Sequence, residues 1–191
     1  MGLFRKQVLL VGMPGSGKST VGRQLARRLG AAFCDTDHVF EQRLGCSISL
    51  FFEREGEERF RTLEADLLLE LVEAAEFDVI ATGGGVVTQP ANRVLIQSRC
   101  TGVYLRARPE HLFGHLRRDT RRPLLQVADP LQRLRELHAQ RDGLYREVAA
   151  FTIDMHERSM TGIVNKVAMQ LELAELTERT ELTDGASDQR H

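Results

Sequence analysis

Short apolar runs alternate with longer stretches of helical periodicity along the chain. Val8-Leu9-Leu10-Val11 stops at Gly12, Ala31-Ala32-Phe33-Cys34 at Asp35, and Val79-Ile80-Ala81-Thr82 at Gly83. Gly102-Val103-Tyr104-Leu105 stops before a charged stretch, and Phe151-Thr152-Ile153 stops at Asp154. Bounded apolar runs this short suit strands covered on both faces. Between them, Phe60, Leu63, Leu67 and Leu71 recur at helical spacing within 57–76, and 20–29 has the same character. Five such strands with intervening helices predict right-handed crossovers and a five-stranded parallel sheet with helices on both faces, an α/β fold. No internal repeat is visible.

The chain has 191 residues, a length that suits one domain able to bury a core without staples. Its net charge of −1 excludes a globally basic nucleic-acid binder. The basic side chains comprise 23 arginines and only three lysines, Lys6, Lys18 and Lys166, so each lysine position invites a specific reason. Cys34, Cys46 and Cys100 form no CxxC pair, which points to a reducing compartment and away from a disulfide framework or structural zinc. No apolar run approaches a membrane span, and residues 1–6 are too short and charged for a secretory leader. A cytoplasmic protein is expected, with a monomer as the default. From Glu172 onward there are six acidic and two basic residues, so 1–172 reads as the domain and 173–191 as an acidic tail. Within that tail, 174–182 reads as a fraying helix end and 183–191 as disordered.

The chemistry enters directly after the first strand. Gly12-Met13-Pro14-Gly15-Ser16-Gly17-Lys18-Ser19-Thr20 matches GxxxxGK[ST], with a strand before it and a helix after it. In such a loop, successive backbone N–H groups of Gly15, Ser16, Gly17 and their neighbours turn inward on phosphate oxygens. Lys18 would reach the β- and γ-phosphates, the Ser19 hydroxyl would ligate Mg²⁺, and Thr20 continues the helix start. The expected co-substrate is ATP.

Residues further along the chain narrow the class. The single Asn-Lys, at Asn165-Lys166, lacks the acid of a GTPase base-reading motif, and the strand Val79–Thr82 runs into Gly83-Gly84-Gly85 instead of an acidic pair. The acids come after the second strand as Asp35-Thr36-Asp37. Positions i and i+2 of an extended segment share a side, so one carboxylate can hold Mg²⁺ or its water shell while the other takes a proton from an attacking hydroxyl. Either could also serve as N-cap for a helix over 38–44.

Assembled in order, these residues resemble the shikimate kinase family over about 6–171. The shared signatures are the Gly12–Thr20 loop, Asp35-Thr36-Asp37, the segment FEREGEERFRTLE at 52–64, Gly83-Gly84-Gly85, Arg121-Arg122-Pro123-Leu124-Leu125, and Arg141 with Leu144-Tyr145-Arg146. The resemblance implies transfer of the γ-phosphoryl of ATP to the 3-hydroxyl of shikimate, a step of chorismate and aromatic amino-acid biosynthesis. It implies that Arg61 and Arg141 clamp the substrate carboxylate, that Asp37 accepts hydrogen bonds from its hydroxyls, and that Gly83, Gly84 and Gly85 let backbone approach the ring. It further implies Asp35 as the Mg²⁺ partner beside Ser19, a substrate-binding region at about 36–65, and a lid at about 111–127 in which Arg122 meets the moving phosphoryl. Lys18, Asp37 and Arg122 are thus the expected catalytic residues.

The nucleoside side departs from the family pattern. His115 stands where many members carry an adenine-stacking arginine, and Met160, preceded by Arg158, where some carry a proline. Arg158 is taken as a nucleotide contact. Arg61 is also spaced to pair with Glu57, Glu58 or Glu64, and Phe51, Phe52 and Phe60 could wall the pocket or fill the core. The rival readings are another metabolite kinase of the same build, such as a gluconate or nucleotide kinase, and a slowly hydrolysing regulatory module.

Overall fold

The structure, a computed structural model, describes residues 6–116, 129–156 and 159–187. Five parallel strands form one sheet in the order β2-β3-β1-β4-β5: β1 Gln7–Val11, β2 Phe33–Asp35, β3 Val79–Ala81, β4 Cys100–Arg106 and β5 Phe151–Asp154. Each predicted strand is present. The helices are α1 Lys18–Leu29, α2 Thr36–Leu44, α3 Ile48–Ala74, α4 Pro90–Arg99, α5 Pro109–Leu116, α6 Pro130–Val148 and α7 Met160–Ser187.

Alternation along the central strand divides the core in two. Leu9 and Val11 of β1 join Ile80 and Tyr104 against α3, α4 and α6 through Leu67, Leu68, Ile96, Leu137 and Tyr145. Val8 and Leu10 point the other way, with Val103 and Leu105, against Val21 and Leu25 of α1 and Ile163, Val164 and Val167 of α7. Both faces of β1 are therefore dry, which is why its sequence is continuously apolar. Parallel pairing, with Leu9 opposite Ile80 on one side and Gly102 on the other, brings all five carboxyl ends to one edge.

Two expectations need correction. Residues Thr36 and Asp37 belong to α2, so the acidic triplet is a strand end and a helix start, not a continuous extended segment. The helix expected over 57–76 is present: α3 is broken at Gly56, whose φ of 81° no helix accommodates, and a further helical stretch from Ile48 precedes the break. At the carboxyl terminus α7 covers the helix end expected over 174–182 and continues to Ser187, into the stretch expected to be disordered. Leu173, Ala174, Glu175 and Leu176 are strong helix formers, and an acidic composition does not by itself stop a helix; residues 188–191 lie outside those described.

Candidate active site

The loop after β1 is shaped by glycines that no other residue replaces. Gly12 has φ 149°, and a Cβ there would lie 2.6 Å from the Leu105 carbonyl oxygen of β4. Gly17, at φ 90°, is the N-cap of α1 and offers no side chain to its N–H groups. Lys18 opens the helix almost fully buried, and its Nζ donates to the carbonyls of Gly12 and Met13, both at 2.9 Å. The loop is thus folded around its own cation. The first turn of α1 carries no acidic residue, leaving its positive end uncompensated. Ser16 Oγ is buried without a hydrogen-bond partner among the described residues, as expected of a donor reserved for an anion. Ser19 and Thr20 follow, exposed.

The second half of the site starts at the end of β3. Thr82 Oγ1 donates to Leu10 O at 2.9 Å, and the Gly83 N–H donates to Thr36 Oγ1 at 3.2 Å, tying the glycine run to β1 and α2. The three glycines make room for the protein's own side chains. A Cβ at Gly83 would lie 2.7 Å from Glu64 Oε1 and 2.8 Å from Asp37 Oδ1. One at Gly84 would meet the Pro14 ring at 2.6 Å, and one at Gly85 would overlap the Arg61 guanidinium. The run therefore threads between the phosphate loop and the Arg61, Glu64 and Asp37 side chains. From α6, buried Arg141 donates Nη1 to Gly84 O at 3.2 Å, so both expected clamp arginines converge on this backbone. The turn Val86–Thr88 beyond it is held by Asn92 Nδ2 on Val86 O and Arg93 Nη1 on Val87 O, both at 2.9 Å.

Arg61 takes the pairing its spacing allowed: Nη1 to Glu64 Oε2 at 2.6 Å and Nη2 to Glu57 Oε1 at 3.1 Å. Its guanidinium also lies over the Phe52 and Phe60 rings. Phe60 is core, while Phe51 and Phe52 are half-buried against it. Burial works against the Arg61 charge, but Glu64 and Glu57 more than offset it, and its pKa rises. Burial pushes the Glu64 carboxyl upward, with Arg61 pulling back and Asp37 adding to the push. Glu64 Oε1 is buried without a hydrogen-bond partner among the described residues.

Asp35 caps α2, its Oδ1 accepting from the N–H groups of Asp37 and His38 at 3.1 and 3.4 Å. Asp37, in the first turn, is the one that stands against Gly83 and Glu64. The two acids thus occupy different positions, as their expected roles require. Arg122 and Arg158, with Arg117, Arg118 and Arg121, lie outside the described residues, and the expected lid is described only through α5. Thr36, Glu64 and Tyr145 are site residues that no sequence pattern singles out. Each lies inside a shared signature, but only the fold shows that they touch the glycine run.

Comparison with known proteins agrees with this architecture. The family model for shikimate kinase matches residues 14–172. The shikimate kinase of Paracidovorax citrulli is 58% identical over 167 residues, covering 86% of this chain and 91% of its own. That of Ralstonia nicotianae is 49% identical, covering 87% of each. Among solved structures, the shikimate kinase of Acinetobacter baumannii in complex with shikimate superposes with a TM-score of 0.83 at 44% identity, covering 88% of this chain and 93% of that one. With the phosphate loop, the acidic pair and the arginine-flanked glycine run in one contiguous site, the chain belongs to the shikimate kinase family.

Proposed function

We propose that this protein transfers the γ-phosphoryl of ATP to the 3-hydroxyl of shikimate, the phosphorylation step of chorismate and aromatic amino-acid biosynthesis. The observation that carries the reading is the contact of Pro14 with Gly84, where the phosphate loop meets a backbone run flanked by two guanidinia and a carboxylate. A hydroxylated carboxylate fits that pairing: Arg61 and Arg141 for its anionic end, Asp37 for a hydroxyl. A nucleotide kinase would need a base-reading pocket there, and a regulatory module has no use for the clamp.

Each residue then has a task. Lys18, Gly15, Ser16 and Gly17 hold the phosphates through one buried cation and inward N–H groups. Asp37 takes the proton of the 3-hydroxyl as its oxygen bonds to the γ-phosphorus and the bond to the β-bridging oxygen breaks. Arg122 meets the charge on the moving phosphoryl, and Arg158 contacts the nucleotide. In-line transfer puts the acceptor and the rest of the nucleotide on opposite sides of the γ-phosphate. With the acceptor at Gly83–Gly85, the nucleoside extends toward the β5–α7 turn, where Met155 packs on Gly17.

The donor set also fits Mg²⁺. Ser19 is exposed beside the loop, and Asp35 has one oxygen committed to its helix N-terminus. Among the described residues no cluster of three or more acidic, His or Cys side chains could cage a metal, which suits an ion carried mainly on phosphates and water. Bound there, Mg²⁺ would neutralise charge on the β- and γ-oxygens. The same reading takes the enzyme as a cytoplasmic monomer; among the described residues no helix is long and apolar enough to cross a membrane.

The test is a coupled ADP-release assay with shikimate beside gluconate, quinate and nucleoside monophosphates. Shikimate-dependent turnover is expected; stronger stimulation by another acceptor, or none by shikimate, overturns the reading.

A further inference from the structure

Tyr145 lies on α6 one turn after Arg141 and is completely buried. Its ring stacks on Tyr104 of β4, with centroids 5.0 Å apart and planes 28° from parallel. Its hydroxyl donates to Gly84 O, the same carbonyl that accepts from Arg141 Nη1. Two side chains spaced i, i+4 on one helix thus hold a single carbonyl in the middle of the glycine run.

That carbonyl needs holding. Three consecutive glycines have more backbone freedom than any other tripeptide, and none has a side chain to fix its peptide plane. A trans peptide is planar with C=O and N–H opposed, so fixing Gly84 O toward α6 turns the Gly85 N–H away from it; among the described residues no peptide bond is cis. Arg141 already commits Nη1 to this carbonyl, and holding it with a second guanidinium N–H instead of the tyrosine would leave fewer donors for a substrate carboxylate. The burial that raises the Tyr145 pKa to about 12 keeps its hydroxyl protonated, and a donor, throughout the working pH range.

We propose that Tyr145 is a positioning residue for acceptor binding: its hydroxyl fixes the Gly84–Gly85 peptide so that the Gly85 N–H faces the acceptor and Arg141 keeps its remaining donors for the carboxylate. The proposal rests on shikimate being the acceptor. It separates Tyr145 from Tyr104, whose hydroxyl donates to Asp142 Oδ1 at 2.8 Å and does not touch the glycine run. Tyr145→Phe keeps the ring stack and removes one buried hydrogen bond, and Tyr104→Phe does the same one ring further out.

Steady-state kinetics on both variants, with melting temperatures measured alongside, test the idea. Tyr145→Phe should raise the shikimate KM about 2- to 13-fold, the range of one buried neutral hydrogen bond. Its ATP KM should stay within about twofold and its kcat should change less than the shikimate KM. Tyr104→Phe should leave the shikimate KM within about twofold even where its melting temperature falls as far. An unchanged shikimate KM in Tyr145→Phe, equal shifts in the two variants, or an equal rise in ATP KM overturns the proposal and leaves the shikimate kinase reading standing. Absence of shikimate-dependent turnover in the unaltered enzyme overturns both.

Discussion

The phosphate loop and the acceptor pocket touch at Pro14 and Gly84, yet they are built in opposite ways. In the loop, Lys18 is held by carbonyls five and six residues earlier, so a single contiguous stretch supplies cation, cradle and helix start. In the pocket the side chains that fix Gly83 and Gly84 are distant: Thr36 reaches Gly83 across 47 residues, Arg141 reaches Gly84 across 57, and Tyr145 reaches it across 61. A cradle made locally can present its charge to a phosphate independently of much of the fold. A pocket assembled from α2, α3, β3 and α6 makes binding and stability depend on the same contacts. Removing the loop's charged side chain should therefore strike the chemical step, and removing charged side chains of the pocket should strike affinity and stability together.

The largest expected effect lies on the loop side. Lys18→Ala removes the buried cation of the phosphate loop and should lower kcat about 10³-fold or more. Asp37→Asn, on the acceptor side but acting on the proton in transit, should behave alike, with melting temperatures close to that of the unaltered chain. A loss confined to KM in either variant would break the division between chemistry and affinity.

Arg61→Ala tests the pocket's double character. It removes half of the proposed carboxylate clamp and should raise the shikimate KM roughly 10- to 100-fold. It also strands Glu64, a nearly buried carboxylate that has its Arg61 bond at 2.6 Å and one oxygen without a partner. Leaving such a charge unpaired costs about 3 kcal/mol, which chemical denaturation would register. Adding Glu64→Gln removes the stranded charge, so the double variant should regain most of the stability while keeping the raised KM. Recovery of both together would show that Arg61 serves only the fold.

This contrast also explains what the sequence made legible. Five strands could be read because each is a short apolar run ended by Gly or Asp, and the phosphate loop because its residues are consecutive. Roles at 61, 83–85 and 141 came from resemblance, since no local pattern says that Arg61 occupies the space a Gly85 side chain would need. Tyr145 was invisible for the same reason: in the sequence it is a helix residue at core spacing, and only the fold shows its hydroxyl on Gly84. The acidic triplet misled about geometry because a strand end and a helix N-cap read as one extended segment until the capping bonds of Asp35 are seen.

Two glycine substitutions sharpen the comparison at smaller cost. Gly12→Ala must adopt φ near 149° and push a Cβ against a β4 carbonyl at 2.6 Å, neither of which yields cheaply. It should lose about 1–3 kcal/mol and raise the ATP KM. Gly85→Ala would overlap the Arg61 guanidinium, which ends a flexible side chain but is held by Glu64 at 2.6 Å. Its stability loss should fall below that of Arg61→Ala, because the displaced guanidinium can keep its exposed Glu57 partner, while the shikimate KM rises about tenfold. Equal destabilisation by both would mean the Arg61 end is as fixed as backbone.

The smallest effect belongs to the carboxyl terminus, which neither half of the site needs. The inward face of α7 packs through Ile163, Val164, Val167, Ala168 and Leu171 on β5 and α1. Just beyond Leu171 the bulky apolar side chains turn outward, with Leu173 51% and Leu176 59% exposed. A helix end without a buried face adds little stability, because its hydrogen bonds barely repay the ordering of the chain. Removing residues 183–191 should therefore leave kcat and both KM values within about twofold and shift the melting temperature by no more than about 2 °C. A tenfold fall in kcat/KM for ATP alone would tie this terminus to the nucleotide side. An equal fall for shikimate would tie it to the pocket, and in either case the site would extend beyond the carboxyl edge of the sheet.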